Sequence, residues 1–401
     1  MNSPPLDDLY SYADRLLRRV DNDFIRYLMP SIPWEERMIA ITGARGTGKT
    51  TLMLQRLKYG PNHAKALYAT ADHPWFFGGT LLGLAERFEQ EGGTHLYLDE
   101  VHKYPQWSRE LKTIYDGFPS LNIIFSASSA LDIHRGEADL SRRAVTHTLP
   151  GLSFREYLEF HHDIRIAPMD LDTLVLEHEN LSRSLDPDFH PIPLFREYLQ
   201  EGYYPFSKDS SQIGYFIKLT QVINATIESD LAASEDFHPG AVPRLKRLLG
   251  VLSTSTPYTP NISKLATQLS LSRETIYLYL NYLEKARLLN FLMKPGRGDS
   301  VLQKPDKLFI ENTNLCHALT PKPDTGTLRE TFLMNQLRNL QEDVRMPAAG
   351  DFMVGNYTIE AGGRSKTGKQ IKNADQPIIA KDGIETGHGK TIPLWMFGLL
   401  Y

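Results

Sequence analysis

Eight residues constrain this chain more than any others: Gly43 to Thr50, reading GARGTGKT. A glycine, four residues and then Gly-Lys-Thr is the full phosphate-loop, or Walker A, pattern. Glycines at Gly43, Gly46 and Gly48 let the backbone curl, so that the N–H groups along Ala44, Arg45 and Thr47 point inward at a polyphosphate. Lys49 sets a positive charge against the outer phosphates, and Thr50 can offer its hydroxyl to a magnesium ion, with Thr51 completing the binding stretch. The flanks agree with this reading. Residues 37–41 (RMIAI) form a short apolar run fit for a buried strand, and residues 51–58 (TLMLQRLK) are apolar at helical spacing. A helix starting behind the loop adds the partial positive charge of its N-terminus.

A second apolar run, residues 94–100 (THLYLDE), ends in two acids, the Walker B pattern. A buried strand would deliver both carboxylates at its C-terminal edge, where open α/β sheets place their ligands. Asp99 is then the magnesium ligand, directly or through water, and Glu100 the residue that orients and polarises the attacking water. Residues 122–126 (NIIFS) read as the next strand. At its end Ser126 or Ser128 can bond the terminal phosphate or the water, or simply cap the next turn. Arg142 and Arg143, in the segment LSRRA, can neutralise charge on a transferring phosphoryl group or form a structural ion pair.

Taken in order, the phosphate loop with Arg45 at its third position, the LYLDE strand, the SASS strand end, LSRRA and LPGLSFREYL resemble the predicted AAA+ superfamily ATPases that carry a C-terminal domain of unknown function. The resemblance spans nearly the whole chain. It implies ATP rather than GTP as the nucleotide, and magnesium as the cofactor. In that family the first arginine of the pair is commonly glycine, so Arg143 occupies the family position and Arg142 is the departure.

Composition bounds the rest. At 401 residues the expectation is two or three domains, and a formal net charge of −4 confines any nucleic-acid-binding surface to a local patch. Cys316 is the single cysteine, which excludes a disulfide framework or a cysteine-rich zinc site. The start, MNSPPLDDLY, lacks the apolar core of a signal peptide, and no apolar run approaches the roughly 20 residues that span a bilayer. A cytoplasmic protein with no membrane partner is expected; oligomerisation is left open.

Residues 6–27 read as an amphipathic helical lead-in, residues 154–240 as interrupted helices with a loop at 181–193, and residues 213–230 as one periodic helix. Three short helices between 241 and 288 have a helix-turn-helix cadence, and residues 289–310 would supply a winged hairpin. This patch is locally basic, and Arg273, Tyr277 and Asn281 are its candidates for touching DNA. In the last hundred residues, Glu330, Asp351 and Glu360 follow the order of the carboxylates in the restriction-endonuclease-like fold, which binds magnesium for phosphodiester cleavage. That fold normally carries a lysine two residues after the last acid. Gly362 stands there instead, with Lys366 in the turn beyond, which argues for a scaffold that has lost cleavage. Residues 394–401 read as a buried final strand.

The expected architecture is therefore an α/β P-loop domain with a parallel sheet (1–205), a helical lid and winged helix-turn-helix domain (206–310), and an α+β nuclease-like domain (311–401). The expected function is ATP hydrolysis with magnesium, coupled to domain movement. The rivals are a nucleotide-switched DNA-binding or interaction module with little turnover, and a magnesium-dependent nuclease.

Overall fold

Strands come first, because they place the two sequence motifs. In the computed structural model, β1 (Met38–Thr42), β2 (Ala66–Thr70), β3 (His95–Asp99), β4 (Asn122–Ser126) and β5 (Val145–Thr148) form a parallel sheet in the order β2-β3-β4-β1-β5. The structure describes residues 4–127, 140, 142–185, 187–231, 239–254, 257, 259–296, 304–340 and 342–401. Residues on both faces of β1 are buried. This explains why its sequence is a continuous apolar run rather than an alternating one. Helices α1 (Asp7–Leu17), α2 (Lys49–Tyr59), α3 (Leu81–Gln90) and α4 (Trp107–Gly117) contribute Leu9, Leu52, Leu84 and Leu111 to the same core. Each of these leucines is fully buried. Truncating one to alanine would cost about 2–5 kcal/mol.

The helical lead-in is shorter than its periodicity suggests. Helix α1 stops at Leu17, and the acidic stretch beyond it turns instead, with the Asp23 amide donating to Asp21 Oδ1 at 3.3 Å.

The chain divides into two units, Met1–Gly151 with Glu228–Phe237, and Leu152–Ile227 with His238–Tyr401. This division differs from the three segments expected. The physical reason lies in the second unit's core. Phe154, Tyr157 and Leu158 of α5 (Phe154–His162) are buried together with Phe332 of α13 (Thr325–Asn339) and with Trp395 and Phe397. Residues on either side of position 205 thus share one hydrophobic cluster.

Within the second unit, α6 (Leu171–Ser184) extends into the stretch read as a loop, and α7 (Pro191–Glu197) follows it. The periodic stretch from 213 is helix α8 (Gln212–Ala225) continued by a π-turn, Thr226–Asp230. Helices α9 (Val242–Ser253), α10 (Ile262–Leu269) and α11 (Arg273–Lys285) precede an antiparallel pair, β6 (Leu289–Leu292) and β7 (Lys307–Ile310). Asn261 and Ser272 cap α10 and α11 through their side chains. Helix α12 (Thr313–Leu319) leads to α13. A second sheet then runs β12-β11-β10-β9-β8, formed by β8 (Val344–Arg345), β9 (Phe352–Val354), β10 (Tyr357–Gly362), β11 (Pro377–Lys381) and β12 (Thr391–Pro393). Strands β9 and β10 pair antiparallel, whereas β10, β11 and β12 are parallel.

The expected final strand is not one. Residues Leu394–Leu399 form a 3-10 helix. All six are buried, so the sequence shows no alternation of faces to separate strand from helix.

Candidate functional site

The loop between β1 and α2 takes the conformation that its glycines allow. Gly43 has φ 142°, and a Cβ there would lie 2.3 Å from the Leu149 carbonyl oxygen. No other residue fits without moving the backbone. Gly48, at φ 96°, occupies the left-handed region just ahead of α2 and turns the chain into the helix. The loop is also held from outside. The buried Arg26 guanidinium donates to the Thr47 carbonyl at 2.6 Å and to the Pro150 and Gly151 carbonyls at 2.8 and 3.0 Å. Thr47 Oγ1 donates to the Ala44 carbonyl at 3.0 Å, closing the loop on itself.

Lys49 is buried, and its ammonium donates to the Gly43 and Ala44 carbonyls at 3.0 Å each. Burial pulls its pKa down, against the charges of Glu100, Asp99 and Asp230. These bonds stand where outer phosphate oxygens would compete for the same cation.

Register brings Walker B to this loop. Thr50 Oγ1 donates to Asp99 Oδ2 at 2.6 Å, and Tyr68 Oη donates to the same oxygen at 2.7 Å. Ser126 donates its hydroxyl to Asp99 Oδ1, and the Glu100 amide donates to that oxygen at 3.1 Å. Asp99 is 2 % exposed, so these donors replace water around a buried carboxylate. Ser126, one of the two serine candidates, is therefore engaged with the acid pair. Ser128 lies outside the described residues.

Glu100 adopts φ 53°, a left-handed conformation uncommon for a non-glycine residue. Its Oε2 is buried without a hydrogen-bond partner, at 3.4 Å from Lys103 Nζ, 3.6 Å from His102 Nε2 and 4.0 Å from Arg45 Nη2. Burial raises its pKa, opposed by the charge of Lys49. A carboxylate oxygen left this way keeps its lone pairs as acceptors beside three nitrogen groups.

Sequence reasoning missed three participants. Asp230 is buried and grips Arg45, with Nη2–Oδ1 at 2.6 Å and Nε–Oδ2 at 3.3 Å. His102 Nε2 lies 4.0 Å from Asp230 Oδ1, and burial lowers its pKa to about 4. Tyr68 orients Asp99. The mostly apolar run of β2 marks Tyr68 only as strand, and nothing in the sequence links Asp230 to a loop 185 residues earlier.

The arginine candidates lie elsewhere in the first unit. Arg143 makes a paired contact with Asp116 of α4, both bonds at 2.9 Å. Arg142 is exposed.

In the second unit, Arg273 and Tyr277 line an open concavity with Asn261, Ser263 and Lys304, which Asn281 does not join. Tyr279 and Tyr282 are core residues. Glu360 is fully buried with Lys366 Nζ 2.7 Å from its Oε1, Glu330 is paired with Lys307, and Asp351 Oδ2 accepts the Ala361 amide at 2.9 Å. Burial raises the pKa of both Glu330 and Asp351. Among the described residues no group of three or more His, Cys, Asp or Glu side chains is placed to hold a metal ion. No helix among them is long and apolar enough to cross a membrane.

Residues 35–158 match the family model described as an AAA domain, and residues 192–326 match one described as a domain of unknown function. An uncharacterized protein of Methanocaldococcus jannaschii is 26 % identical over 387 residues, covering 88 % of this chain and 81 % of that one. Among solved structures, a Walker-type ATPase of Pyrococcus abyssi aligns over 79 % of this chain and 95 % of its own, at 13 % identity and a TM-score of 0.41. AMPPCP-bound DnaA of Aquifex aeolicus aligns over 70 % and 89 %, at 13 % identity and a TM-score of 0.23. Residues 35–158, matched to the AAA domain, contain both Walker motifs and form an AAA-like P-loop domain.

Proposed function

We propose that this chain binds ATP with magnesium and hydrolyses it at the site built from residues 43–51, 99 and 100, the cycle driving domain movement. The observation that carries this reading is the 2.6 Å hydrogen bond from Thr50 to Asp99. It joins the two motifs at one point, with Lys49 and Glu100 on either side.

The residues fit magnesium. A hydroxyl and a carboxylate are the hard oxygen donors that it prefers, and it usually takes one or two carboxylates, with phosphate oxygens and water completing its shell. Thr50 and Asp99 would hold it, and when bound it neutralises charge on the phosphates. Lys49 exchanges its loop carbonyls for phosphate oxygens. The loop amides and the N-terminus of α2 fix the phosphate chain. Glu100 accepts a proton from the attacking water molecule. The water oxygen bonds to the γ-phosphorus, the bond to the β–γ bridging oxygen breaks, and ADP departs with that electron pair.

Phosphate release and nucleotide titration test this. Lys49→Ala is expected to abolish ATP binding. Glu100→Gln is expected to keep binding and to lose at least about a hundredfold in turnover, the scale of general-base catalysis. Turnover unchanged in Glu100→Gln would remove Glu100 from the mechanism. The nuclease alternative would use Glu330, Asp351 and Glu360, which lie near one another with Lys307 and Lys366 beside them, but among the described residues no group of three or more such side chains is placed to hold a metal ion.

A further inference from the structure

Asp230 presents an electrostatic puzzle. A loop shaped to receive an anion has a buried carboxylate beside it, from a segment far outside residues 35–158. Like charge at that point opposes the arrival of a polyphosphate. The carboxylate is not idle, however. It engages Arg45 side-on through Nε and Nη2. Two of the five N–H donors of the guanidinium are used in this way, and the planar fork then fixes the direction of the other three. Arg45 stands at the third loop position, with Nη2 4.0 Å from Glu100 Oε2 and its charge felt by Lys49. Lys49 and Glu100 bracket the place where the outermost phosphate and the attacking water would sit. Arg45 thus stands beside Glu100 with its guanidinium held by a buried acid.

We propose that Asp230 is a positioning residue that holds Arg45 as the reader of the terminal phosphate, so that the site distinguishes a nucleoside triphosphate from a diphosphate. This rests on the nucleotide-binding reading of the site. Asp230 acts through Arg45 and touches no nucleotide itself. Because its charge offsets part of that of Arg45, it contributes direction rather than net attraction.

The experiment measures ATP and ADP affinities by calorimetry, and turnover by phosphate release, for wild type, Asp230→Asn, Arg45→Ala, Arg45→Lys and the Arg45→Ala/Asp230→Asn double variant. The triphosphate-over-diphosphate preference is expected to fall at least about tenfold in Asp230→Asn, the scale of a hydrogen bond to a charged group. ADP affinity is expected to hold or tighten, because an acid beside the phosphates has been neutralised. The double variant is expected to be no worse than Arg45→Ala, since one residue works through the other. Arg45→Lys keeps a cation against Asp230 and so protects the fold, but lacks the fork. It is expected to lose the preference as well, which keeps the test readable if Asp230→Asn does not fold. Overturning results are an Asp230→Asn or Arg45→Lys protein that discriminates like wild type, or single effects that multiply in the double variant. A wild-type chain that binds neither nucleotide removes the premise itself. A wild type that binds and discriminates, beside an Asp230→Asn that does the same, removes only the role of Asp230.

Discussion

His102 shows how the candidate site ties stability to pH. The side chain is 1 % exposed, and burial takes its pKa from 6.5 to about 4. Asp230 pulls the other way, and Lys49, Lys103 and Arg45 add to the depression. The folded chain therefore keeps His102 neutral where the unfolded chain protonates it. The stabilisation is present above pH 6.5 and is lost as pH falls toward about 4. Between pH 7 and pH 5 the loss from this one group is about 2 kcal/mol. Denaturant unfolding of wild type and His102→Gln at those two pH values measures it. Wild type is expected to lose about 2 kcal/mol more than the variant on acidification; equal losses would show that another group controls the acid limb.

Elements set how closely two stretches of backbone can approach, and Gly43 is where this matters most. It follows β1 directly, and β1 lies against β5, with the Leu149 amide bonded to the Thr42 carbonyl at 2.8 Å. The Leu149 carbonyl next to that bond occupies the space a side chain at 43 would need. Gly43→Ala must therefore push apart the edge that carries the loop. Its thermal stability is expected to fall by about 1–3 kcal/mol, the usual cost of overpacking, and its ATP affinity to fall with it. A Gly43→Ala protein that melts and binds ATP like wild type would show that the loop sits further from β5.

The same element scale explains what the sequence could disclose. GARGTGKT and LYLDE were legible because their chemistry is local: glycine spacing fixes a curl, and an apolar run ending in acids fixes a strand edge. Strands β1, β3 and β4 were legible for the same reason. Asp230 was not, because its meaning comes from a partner 185 residues away, and a lone acid at the end of a periodic helix looks solvated. The 3-10 turn at Leu394–Leu399 was misread because a segment buried on every side has no face to report. There Gly398 lies so close to Phe154 that a Cβ would stand 2.4 Å from the Phe154 Cβ, a constraint visible only in the fold. Lys366, which the sequence places only in the turn beyond the strand, folds back to reach Glu360, a contact that spacing alone does not show.

At the scale of the whole molecule, the chain divides into two units, and two of its hydrophobic clusters are separate in composition. One is drawn from residues between Leu6 and Leu149, the other from residues between Phe154 and Leu400. Cooperative unfolding follows a shared core, so the chain is expected to show two calorimetric transitions rather than one. On the proposed function, nucleotide binds the unit that carries the Walker motifs. By linkage, ligand at about a hundred times its dissociation constant adds about 2.7 kcal/mol to that unit and nothing to the other. For a unit of this size that is a rise of about 5–11 °C in one transition. Scanning calorimetry with ADP or ATP and magnesium should show one peak moving and one fixed, and Lys49→Ala should hold both in place. Two peaks moving together would mean that the units unfold as one. A moving peak that persists in Lys49→Ala would place the nucleotide somewhere other than the glycine loop.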